Sequence, residues 1–151
     1  MIARALAALL EARDRTLAAL LVGGAALLAV EVRFEHREAL GERWPAWIPL
    51  VYAVALAVLG AAALARWERG GREALLRLFA LGLVVGPAGV LFHTGGHPLR
   101  AVGEVLSAWA LRPGESGGIG RDHPPALAPL AFAGLSALGV VACARGRLRG
   151  R

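Results

Sequence analysis

The sequence predicts an all-α, polytopic membrane protein, a four-transmembrane-helix bundle carrying short interfacial amphipathic helices. Three observations lead there. Of the 151 residues, 57% are apolar and only 19% charged, against about 45–50% and about 25% in soluble domains. The apolar residues gather into four runs, approximately 16–34, 47–66, 74–92 and 124–144, each near the roughly 20 residues that an α-helix needs to cross a bilayer. Within 51–64 there is no polar stripe at the 3.6-residue period that a helix on a soluble domain would carry. The whole of 1–151 therefore reads as one integral membrane domain, with a single long outer loop at 94–123.

Element by element, residues 2–12 place Ile2, Leu6, Leu9 and Leu10 among Arg4, Glu11 and Arg13. This is the pattern of a short helix lying on the membrane surface. The first span starts at about Thr16 and is expected to continue past the membrane as Glu31–Glu42. A secretory signal peptide competes for residues 1–30, but no convincing cleavage site followed by a soluble domain supports it. Pro45 and Pro49 open the second span, where a missing N–H costs little. Trp44, Trp47 and Tyr52 read as an outer aromatic anchor and Trp67 as an inner one. The turn at 66–73 is short and contains glycine, so the second and third spans should be antiparallel neighbours. Pro87 is expected to kink the third span. In the loop, Leu99, Val102, Leu106 and Trp109 recur at helical spacing as a second surface helix. Asp122-His123-Pro124-Pro125 leads into the fourth span.

Small residues mark helix contacts. Ala53, Ala57, Ala61 and Ala65 form a stripe on the second span, and Gly82 and Gly86 form a G-x-x-x-G on the third. In lipid such stripes let backbones approach closely, and they serve either the bundle itself or a homodimer or larger membrane complex.

Charge sets the expected orientation. There is no lysine, and eleven of the seventeen arginines fall at one set of span ends. The other ends hold Glu31, Glu35, Glu38, Glu42, Glu104, Glu115 and Asp122. The positive-inside rule then puts both termini in the cytoplasm of a bacterial-type inner (plasma) membrane. The net charge of +6 is read as topology and as contact with the lipid bilayer, and no aromatic-interleaved basic stripe points to nucleic acid.

The chemistry expected from the sequence lies at the outer rim. All four histidines fall there, His36 after the first span, His93 at the end of the third, His97 four residues on and His123 before the fourth. Imidazoles with the carboxylate of Glu31 make a donor set for a transition metal ion, Zn, Cu, Fe or Mn. Glu35 and Asp122 are the candidate proton acceptors if the site is catalytic. Glu31 is placed at the outer boundary, where an ionisable residue usually faces the bundle interior. His93-x-x-x-His97 has the spacing of a helical ligand pair, though Gly95 and Gly96 argue against a continuous helix there. A haem b held by His36 and His93 is the alternative cofactor. A non-catalytic accessory or assembly subunit is the alternative function.

Other chemistries find no support. There is no nucleotide-binding loop, no G-x-S-x-G and no H-E-x-x-H. The single cysteine, Cys143, excludes an internal disulfide framework and c-type haem attachment. The spans carry no central charge of the kind a midplane proton-coupled transport site uses.

Overall fold

In a computed structural model of the chain, the described residues are 2–97, 99, 102–103, 106 and 129–144. They are helical throughout their regular structure, and among them there is no strand. The elements are α1 (Ile2–Glu35), α2 (Ala39–Glu42), a 3₁₀ turn (Trp44–Ala46), α3 (Trp47–Ala65), a second 3₁₀ turn (Trp67–Arg69), α4 (Gly71–His93) and α5 (Leu130–Ala144).

Four helices pack as a ring. α1 packs on α3, α3 on α4, α4 on α5, and α5 back on α1. Each neighbour runs antiparallel, so α1 and α4 occupy opposite corners, as do α3 and α5. One end of the bundle carries Arg15, Arg66, Arg69 and Arg72, and the other carries His36 and His93.

Three stretches, Ala8–Glu35, Trp44–Ala65 and Gly71–His93, are long and apolar enough to cross a membrane, as in an integral membrane protein. Large apolar side chains point outward along them, including Leu20, Leu27, Val58 and Val84, each more than 60% exposed. The described part of the expected fourth span is the 15-residue α5, shorter than a bilayer crossing requires.

The first expected break is absent. Residues 2–12 and the first apolar run form one 34-residue helix, about 50 Å long at 1.5 Å per residue and so longer than the roughly 30 Å hydrocarbon core. No glycine, proline or cap separates the two parts. The Thr16 hydroxyl donates back to the Ala12 carbonyl at 2.9 Å, as hydroxyls do inside a continuous helix. The expected continuation through Glu42 does stop: α1 ends at Glu35, residues 36–38 turn, and α2 is a single turn of helix. Trp47 secures this corner by donating its indole N–H to the Leu40 carbonyl at 2.9 Å. α4 passes through Pro87 without ending.

Two of the expected aromatic anchors, Tyr52 and Trp67, are instead interior. Tyr52 is only 5% exposed, because its hydroxyl finds polar partners between the helices: the Leu78 carbonyl, to which it donates at 3.2 Å, and Ser136 Oγ at 3.0 Å. Its ring meets Phe132 edge-on with centroids 5.7 Å apart. Trp44 and Trp47 remain exposed, as an anchor at a membrane boundary would be.

The glycines of the third span are used within the bundle. A Cβ on Gly82 would stand 2.0 Å from Ser136 Oγ and 2.1 Å from the Tyr52 hydroxyl, and one on Gly86 2.7 Å from Ala133 Cβ. Close approach of α4 to α3 and α5 therefore depends on these positions having no side chain.

The Tyr52–Ser136 contact ties the α3 and α5 corners across the middle of the bundle. Tyr52→Phe is expected to destabilise the bundle by about 1 kcal/mol, the scale of one interhelical hydrogen bond in lipid. Thermal unfolding in detergent, read by circular dichroism, checks this; Ser136→Ala should give a similar, non-additive loss, because both changes remove the same contact.

Candidate functional site

At the histidine end, α1 delivers His36 and α4 delivers His93. His36 is the first residue beyond α1, with its N–H on the Val32 carbonyl at 2.9 Å and its own carbonyl accepting from Leu40 at 2.8 Å. Both sides of its backbone are thereby held. His93 is the last residue of α4, where a cationic or hydrogen-bonding side chain complements the helix C-terminus.

That terminus is closed by Gly95 and Gly96, both at positive φ (61° and 87°). Gly96 N–H reaches the Leu91 carbonyl at 2.8 Å and Gly95 N–H the Phe92 carbonyl at 3.5 Å, the paired bonds of a Schellman closure. Thr94 is 1% exposed and donates its hydroxyl to the Val90 carbonyl at 2.8 Å. The helix thus ends between His93 and His97, and the two do not form a pair one helical turn apart. His97 is exposed.

The His36 and His93 rings lie 5.9 Å apart between centroids, tilted by 41°. They meet across the α1–α4 diagonal, over the end of the core, and both are partly buried. His36 Nδ1 is enclosed without a hydrogen-bond partner among the described residues. A buried, unsatisfied polar atom costs about 1–3 kcal/mol, so this nitrogen calls for a partner.

The remaining expected residues are less convergent. Glu31 and Glu35 are both exposed; the buried position at this level of α1 is Val32, 8% exposed, so Glu31 does not face the interior. Asp122 and His123 lie outside the described residues. Among the described residues, no group of three His, Cys, Asp or Glu side chains converges as a metal-binding set.

A second polar cluster, at the arginine end, was not anticipated from the sequence, where Glu11, Asp14 and Arg72 count only among the charges at one set of span ends. Arg72 on α4 donates to both Glu11 carboxylate oxygens at 3.0 and 2.9 Å and to Asp14 Oδ2 at 3.4 Å on α1. It also donates to the Cys143 carbonyl at 2.8 Å and the Ala142 carbonyl at 3.2 Å on α5. Those carbonyls belong to the last turn of α5, which has no intrahelical donors for them. Trp67 completes the cluster: its indole N–H donates to Glu11 at 2.5 Å, and the Arg72 guanidinium lies 5.3 Å from its ring centroid.

Asp14 is 4% and Trp67 3% exposed. A sequence signal for Asp14 does exist. It stands in helical register with Ala18, Val22, Ala25 and Val32, the buried stripe of α1, and an acid in such a stripe needs a buried cation. Through Arg72 this cluster joins three helices, α1, α4 and α5.

Comparison of the chain with protein-family models, with curated proteins and with solved structures finds no match.

Proposed function

We propose that this is a small integral membrane protein that binds a transition metal ion at the histidine end of its bundle, through His36 and His93. The observation that carries the proposal is the enclosed, unpartnered Nδ1 of His36 beside the His93 ring. Two imidazoles on one tetrahedral ion, with metal–nitrogen bonds of about 2.0–2.1 Å, hold their ring centroids about 5 Å apart, and the two rings stand within about 1 Å of that spacing, at 5.9 Å. A packing contact between two rings accounts for their distance but leaves the nitrogen unsatisfied.

Two histidines leave coordination positions open. His123 and Asp122, which the sequence assigns to the same rim, are the proposed further ligand and proton acceptor, and exposed Glu35 the alternative acceptor. A bound metal at such a site polarises an oxygen or lowers the pKa of a water. The protein's own part is to fix the two imidazoles by the His36 backbone bonds and the Gly95–Gly96 closure of α4. By the arginine count, this rim faces the outer side of an inner membrane.

The test is elemental analysis with an absorption spectrum on the detergent-purified chain. About one metal ion per chain is expected, lost in His36→Ala and in His93→Ala and retained in His97→Ala. Each variant is checked by circular dichroism for intact helix. A Soret band would replace the free ion by a haem on the same two histidines. Metal-free, colourless protein from metal-replete cells would overturn the site and favour the accessory-subunit alternative.

A further inference from the structure

The arginine end holds a second feature, separate from the buried Arg72 cluster. A cleft of about 410 Å³ opens there between α1 and the end of α3, lined by Arg15, Ala65, Arg66, Trp67, Glu68 and Arg69. Three arginines thus line one space together with a single acidic residue. The two arginines of α4, Arg72 and Arg77, each have a carboxylate partner. Among the described residues, Arg15, Arg66 and Arg69 have none, and all three are exposed. Arg15 is oriented by one neutral contact, donating to the Leu64 carbonyl at 3.3 Å.

That contact also fixes depth. Arg15 immediately precedes the apolar run of α1, and Leu64 is one residue from the end of α3. The cleft therefore lies at the boundary between the apolar length of the bundle and its charged end. Of its lining residues, Trp67 is buried, 3% exposed, and anchored through its indole N–H to Glu11. Toward the middle of the bundle, the same two helices expose Leu20 (69%) and Leu59 (54%).

We infer that this cleft binds the phosphate of an anionic phospholipid, with Arg15, Arg66 and Arg69 on the headgroup and the acyl chains along the exposed faces of α1 and α3. Guanidiniums suit phosphate oxygens through forked, charge-assisted hydrogen bonds. Position favours the lipid over a soluble phosphate: the three arginines stand at the end of the apolar lengths of α1 and α3, and both helices expose apolar side chains further along. Glu68 also lines the cleft, and its carboxylate offsets one of the three positive charges.

The experiment uses the full chain in neutral detergent, titrated with phosphatidylglycerol or phosphatidylcholine and read by native mass spectrometry. One phosphatidylglycerol per chain is expected, retained about tenfold better than phosphatidylcholine. Arg66→Gln with Arg69→Gln should weaken retention about twentyfold, while Arg33→Gln with Arg37→Gln, at the opposite end, should leave it within about twofold. Arg69→Gln alone, an exposed change, carries the test if the double variant loses helix by circular dichroism. Equal retention of the two lipids, or unchanged phosphatidylglycerol retention in the arginine variants, overturns the inference. Displacement of the lipid by millimolar inorganic phosphate would assign the cleft to a soluble phosphate and overturn the lipid as its source.

Discussion

Replacing Arg72 by methionine is expected to destabilise the bundle by about 3 kcal/mol or more, because removing one partner of a buried ionic group strands the other. Glu11 and Asp14 would lose their cation, with the Asp14 side chain only 6% exposed, and the Ala142 and Cys143 carbonyls would lose their donor. Arg72→Lys should recover only part of the loss, since one ammonium cannot reproduce a planar guanidinium that reaches both carboxylates and two carbonyls. Combining Arg72→Met with Glu11→Gln and Asp14→Asn should recover more than Arg72→Lys, because the stranded charges are then gone. Chemical or thermal unfolding of the four proteins in one detergent checks the order. If Arg72→Met unfolds like wild type, the cluster contributes no net stability and serves only orientation.

A comparable loss is expected from one methyl group at Gly139. Helix propensity alone would make Gly→Ala favourable by about 1 kcal/mol. The added Cβ would, however, stand 2.3–2.4 Å from three carbons of the Phe79 ring, and Phe79 is fully buried. A ring has no flexible end to swing aside, and overpacking of this kind costs about 1–3 kcal/mol, occasionally more. Packing therefore wins, and Gly139→Ala should destabilise by about 2 kcal/mol net. Gly134 on the same helix has nothing within 4 Å of its Cβ position, so Gly134→Ala should be neutral or slightly stabilising. Unfolding midpoints of the two variants, differing only in which face of α5 carries the methyl, test the assigned packing of α5 on α4. A further Phe79→Leu change should relieve part of the Gly139→Ala loss.

Much of the architecture is legible in the chain because lipid imposes a simple constraint on composition. A helix in hydrocarbon satisfies its own backbone, so the long apolar runs at 47–66 and 74–92 announce helices, and the structure places them at Trp47–Ala65 and Gly71–His93. Glycine at 82 and 86 also announces close packing, and both positions are filled by neighbours. The candidate site was legible only in kind. Four histidines gather on one side of the sequence map, yet their spacing says nothing about which rings meet. His93 and His97 look paired at four residues, but two glycines at positive φ end the helix between them. His36 and His93 are 57 positions apart by number, and only the crossing of opposite corners brings their rings together.

The sequence by itself determined the helical class, the apolar lengths and the separation of an arginine-rich end from a histidine-bearing one. Each of these follows from local composition, read one segment at a time. The tertiary structure decided which polar groups go inside. Asp14, Tyr52, Trp67 and Ser136 are all buried, although hydropathy alone would send the first three to a boundary. They are interior because each finds its partner on another helix: Arg72 for Asp14, Ser136 for Tyr52, Glu11 for Trp67. Burial of a polar group is stable only when that partner is in place, and a partner 50 or more residues away has no trace in the local sequence pattern.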